Sequence, residues 1–120
     1  MRVVALVSDL MDRSRITAAL PEATFVANVG SITQAIAQAG RQAGTGAVTD
    51  TVTVVIDLAR HGQAVARVRQ ASPDAFIVAF GSHVDADQML AARAGGADRV
   101  LPRSRFFRDP AAAVAPEDES

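Results

Sequence analysis

The chain contains no cysteine, which removes disulfides, thiolate metal centres and cysteine nucleophiles together. It contains no lysine either, since all 12 of its basic residues are arginine, and this excludes Schiff-base and lysine general-base chemistry. No apolar run approaches the roughly 20 residues that span a bilayer. The opening "MRVVALVSDL" holds an apolar run closed by an acid, too short for a secretory signal core, so a cytoplasmic protein without a membrane partner is expected. A formal charge of -1 over 120 residues gives no general attraction to nucleic acid. Arg99, Arg103, Arg105 and Arg108 make only a local basic cluster.

With 49% hydrophobic and 21% charged residues, the composition is that of one globular domain, able to bury roughly two thirds of its unfolded surface. "RVVAL", extended to Val7, is a Val-rich run bounded by Ser8 and Asp9, the pattern of a strand covered on both faces. Asp12 can cap a following helix that runs to about Leu20 with Ile16, Ala19 and Leu20 inward, ended by Pro21. "ATFVANV", 23–29, reads as a second strand. "SITQAIAQAGRQAG" reads as a helix with Ser31 as cap and Ile32, Ala35, Ile36 and Ala39 inward, and "GTGAVTD" as the loop after it.

The third strand is expected over 51–58, and "GQAVARVRQASP" is helical, with Val65 and Val68 inward and Arg67 and Arg69 outward. "AFIVAFG", 75–81, is the fourth strand. Asp85 or Asp87 can cap a helix through about Ala94 with Met89 and Leu90 inward, terminated by Gly95 and Gly96. "DRVLP" is a short fifth strand. Alternating strands and helices imply a parallel sheet with right-handed crossovers and helices on both faces. Ligand-handling groups then belong to the loops at the carboxyl ends of the strands: Ser8, Asp9, Asp57, His61, Gly81, Ser82, His83 and Arg103. In the tail, only Asp109 to Val114 can make a helical turn or two, and Phe106 and Phe107 are candidates to plug the gap. Otherwise an apolar face is left for a partner or a second copy of the chain. "PEDES" is expected to be disordered, so residues 1–108 are read as the domain and 109–120 as a short helical turn with an acidic tail.

Three stretches in order, "VSDLMDRSRI", "VVIDL" and "GGADRVLPRS", resemble the receiver domain of two-component response regulators. The resemblance covers residues 2 to about 108 and implies a flavodoxin-like three-layer α/β sandwich with a five-stranded parallel sheet of order 2-1-3-4-5. It implies Asp57 as the phosphoacceptor position and Asp9 as the second member of the acidic pair that holds Mg²⁺. The sequence departs from the family in four places. Ser8 stands where the first acid of the pair belongs, and Gly81 stands at the Thr or Ser position, with Ser82 next to it. Arg103 stands at the family Lys position and Val100 where a switch aromatic is usual.

An acyl phosphate on Asp57 brings about -1.5 to -2 of charge and requires cations to neutralise it. Asp9 and Asp57 can offer a divalent ion two carboxylates. Arg103 retains charge but is longer than lysine and planar, and a salt bridge from Arg103 to Asp57 or Asp9 would replace metal and phosphate. Without the hydroxyl at Gly81 the family's switch is disconnected. The reading is therefore a non-enzymatic, pseudo-receiver signalling domain that acts through contact with another signalling protein, a kinase or output protein, with a homodimer as a further option. The alternatives are a receiver phosphorylated on Asp57 with Mg²⁺, and a small-ligand or metal module at the same loops, in which His61 and His83 join Asp57 or Asp85.

Overall fold

The computed structural model describes residues 2–42 and 52–115. The expected loop at 44–50 and the tail at 116–120 lie outside the described residues, as do the side chains of Ile36 and Ala39. The chain order is β1 (Arg2–Leu6), α1 (Leu10–Ala19), β2 (Thr24–Phe25), α2 (Val29–Gln42), β3 (Val52–Asp57), α3 (Leu58–His61), α4 (Ala64–Ala71), β4 (Phe76–Gly81), α5 (Ala86–Ala94), β5 (Arg99–Pro102), α6 (Arg103–Arg108) and α7 (Pro110–Val114). All strand pairs are parallel and the sheet order is β2-β1-β3-β4-β5. The expected flavodoxin-like sandwich is therefore what the chain forms. Among the described residues no helix is long and apolar enough to cross a membrane.

The period-two alternation of strand side chains divides the core into two clusters. Val4, Leu6, Val54, Ile56, Ile77 and Ala79 pack with Ile32, Leu58, Val65, Val68 and Ala92 from α2 to α5. Val3, Ala5, Val55, Val78 and Phe80 face the other way, onto Ile16, Phe106, Ala113 and Val114. Both faces are covered, which is why the central strands read as continuous Val and Ile runs. Phe106 is fully buried, stacked on Phe80 at 4.6 Å between ring centroids, and Phe107 meets both rings edge-on at 5.2 and 4.9 Å. The ring that was expected to plug the gap does so. It rides on α6, a helix that the sequence reading of the tail had not included.

Several local expectations are corrected. Helix α1 is capped by Asp9, whose Oδ1 accepts from the amides of Met11 and Asp12, so Asp12 lies inside the helix and is buried. Ala19 is exposed rather than inward. The strand expected over 23–29 is only two residues long, and Asn28, not Ser31, supplies the side-chain oxygen that accepts from the Ser31 amide. In α5, Leu90 is 64% exposed and Ala92 is the buried residue. Arg69 does not simply point to solvent. It donates to the carbonyls of Gly96, Pro73 and Ala75 and pairs with Asp98. Gly96 has φ 115° and an added Cβ would lie 2.8 Å from Arg69, so glycine is required there by conformation and by space.

Candidate functional site

Asp57 ends β3 at the carboxyl rim of the sheet, on the strand face shared with Val55 and Thr53. It is 2% exposed, and one carboxylate oxygen accepts from the Ala59 amide at 3.0 Å, which starts α3. Burial pushes its carboxyl above the ordinary aspartate range, and the Asp12 charge adds to this. The Ala59 amide, Arg103 and His61 pull the other way. Asp9 has the opposite balance: the Asp12 amide, helped by the Met11 amide, holds its carboxyl below the usual value, with Arg60 and Arg103 as weaker charges.

Arg103 follows β5 and reaches back across the rim, but its partner is neither Asp57 nor Asp9. Its Nη1 and Nη2 donate to Asp12 Oδ2 and Oδ1 at 2.9 and 2.7 Å, a two-pronged pair. The guanidinium lies over the rings of Phe80 and Phe107, 5.5 and 5.2 Å from their centroids, which fixes its plane. Asp57 and Asp9 act on Arg103 through their charges, after the hydrogen bond and charge of Asp12. Asp9 and Asp57 each feel the charge of Arg103, but the cation is held by a fourth group, Asp12. Asp12 was overlooked because it read as a cap. The available signal was its spacing: Asp12 and Ile16 are four apart and share one helix face, and Ile16 is core.

Ser8, at the missing acid's position, is hydrogen-bonded through Oγ to His61 Nε2 at 2.9 Å. Gly81 closes β4, and a Cβ built there would have Leu58 Cβ and Cδ1 as its nearest neighbours, both at 3.3 Å, and then Gln88 Oε1 at 3.6 Å. The hydroxyl position is thus aimed at α3 and α5. Ser82 Oγ accepts from the Val84 amide at 3.3 Å and is engaged in its own turn. Val100 is buried in the core. His83 lines a groove with Arg15, Ser82, Arg103, Ser104 and Phe107, apart from His61. Among the described residues no three His, Cys, Asp or Glu side chains are placed to share a metal, so the expected joining of the two histidines with an aspartate is not found.

Two solved structures share this architecture. The phosphorylated cyanobacterial phytochrome response regulator RcpA is 14% identical, with a TM-score of 0.65 over 89% of this chain and 86% of its own. The fold is that of a response-regulator receiver. A response regulator from Burkholderia pseudomallei, described with a phosphorylated aspartic acid, calcium ion and citrate, is 15% identical with a TM-score of 0.63 over 94% of this chain, which spans only 65% of its length. The receiver-fold chain matches no protein-family model and no curated protein.

Proposed function

We propose that this receiver-fold chain is a signalling module that works by contact with another protein and does not depend on phosphorylation of Asp57. The observation that carries this reading is the two-pronged Arg103–Asp12 pair. A guanidinium held by a buried carboxylate and by two aromatic rings is not free to follow a phosphoryl group on Asp57, because leaving would strand the Asp12 charge without a partner. Ser8 and Gly81 add to it, one lacking a carboxylate and the other a hydroxyl. A divalent ion does not find a three-carboxylate cage among the described residues, and no step is assigned to one. Exposed Leu10 and Met11 at the start of α1, with Val84 in the β4–α5 loop, give the same rim an apolar border suited to protein contact. Phe106 lies in the core, so it offers no face to a second copy.

The test is direct. The protein is treated with acetyl phosphate or beryllofluoride in millimolar Mg²⁺ and followed by intact-mass measurement and NMR. The expected result is an unmodified mass and unshifted resonances. An adduct that disappears in Asp57→Asn would overturn the reading. That outcome would favour the second one, phosphotransfer to Asp57 with a divalent ion, which draws support from the phosphorylated state of both similar structures and the calcium of one.

A further inference from the structure

On the sheet face opposite Arg103, between the start of α2 and the α3–α4 segment, lies an open cavity of about 580 Å³. The apolar part of its accessible lining comes from Ala27, Val29, Ala59 and Ala91, and its wall carries Arg60, Arg67, His61 and Gln88. Among the described residues the lining contains no Asp or Glu, although the whole chain has 13 acids against 12 bases. Neither arginine has a hydrogen bond or ion pair among the described residues, and Arg60 is only influenced at a distance by Asp9, outside the lining. The carboxamide of Gln88 lies over the two glycines that flank it, 3.6 Å from the Cβ positions of both Gly62 and Gly81, and has no hydrogen-bond partner among the described residues.

We infer that this cavity binds a small organic anion, with its phosphate or carboxylate groups taken by Arg60 and Arg67 and its apolar or flat body laid on Ala27, Val29, Ala59 and Ala91. Guanidinium groups suit such oxygens because their donors form a planar fork. The unpaired amide of Gln88 offers both a donor and an acceptor to the body of the ligand. The volume is within the range of small-molecule sites. His61 stands at the cavity wall and is bonded to Ser8 at the rim, so an occupant borders the side chain that Ser8 holds. The site is separate from Asp57 and does not require that residue to be modified.

Three probes test it on the full chain: adenosine 5′-monophosphate, which joins a phosphate to a flat body, citrate, which is all carboxylate, and neutral adenosine. Calorimetric titration and thermal unfolding are expected to show binding of one or both anions and none of adenosine. The probe that binds decides between phosphate and carboxylate. Arg60→Gln and Arg67→Gln are each expected to weaken binding by about tenfold, and Ala91→Glu, which adds an acid to the lining, to weaken it similarly. Arg105→Gln, on another face, leaves it unchanged. Failure of both anions to bind, or binding that survives the Arg60→Gln/Arg67→Gln double variant, overturns the inference. Both arginines and Ala91 are exposed, so the variants are expected to fold.

Discussion

The two ends of the sheet are each closed by an arginine and an aspartate, and they are closed differently. At the amino ends of β4 and β5, Arg69 binds three backbone carbonyls and Asp98, while the Ile77 amide also donates to Asp98 Oδ2 at 2.8 Å. That aspartate side chain is 39% exposed. At the carboxyl ends, the hydrogen bonds of Arg103 among the described residues go to Asp12 alone, whose side chain is 4% exposed. The first arrangement distributes one cation over several acceptors that retain other partners or water. The second concentrates it on one acid that has little else. The carboxyl rim, where the candidate site lies, is thus the end tied by the more demanding pair.

The largest effect should come from cutting that tie. Arg103→Met is expected to lower stability by about 3 kcal/mol, at the low end for a broken buried pair because Arg103 itself is partly solvated. The Asp12→Leu/Arg103→Met double variant should return to within about 1 kcal/mol of the parent in urea unfolding. If the double variant is as unstable as the single one, the carboxylate left alone is not the cause. At the other end, Arg69→Met should cost about 2 kcal/mol, and finding it more costly than Arg103→Met would reverse the comparison.

Gly81→Thr should cost about 1 kcal/mol by crowding Leu58, in the same unfolding assay. A stabilised variant would mean that Leu58 can shift. The smallest effect concerns Asp57. Burial raises its native carboxyl above its unfolded value, so its contribution to stability is full below the unfolded value and is lost as pH rises through the native one. At neutral pH the charge is a cost, and Asp57→Asn should raise Tm by about 2–4 °C, with the gain shrinking as the solution is acidified into the carboxylate range. A gain that grows on acidification would contradict the assignment.

The central strands were legible because burial on both faces leaves an uninterrupted apolar run, and once their order was known the rim positions of Asp9, Asp57 and Arg103 followed from topology. Pairing at the rim was not legible. Asp9 and Asp12 are both plausible caps for α1, and what separates them is a guanidinium 91 residues from Asp12. Arg69 read as solvent-facing for the same reason, since its acceptors come from the turn before β4 and the loop before β5. In α5, Leu90 was expected inward and is exposed, because nine residues contain too few turns for a weak apolar period to fix the buried face. The Phe106 plug was readable from the shortage of covering helix, but the helix that carries it was not.

One consequence concerns how this molecule can meet others. The sheet's outer strands are β2, two residues long, and β5, four residues that finish on Pro102. So short a ladder offers almost no unpaired amides or carbonyls to an incoming extended peptide, and proline ends the opposite side. Among the described residues both edges are poor templates for an added strand, so recognition is expected to fall to helix surfaces and loops.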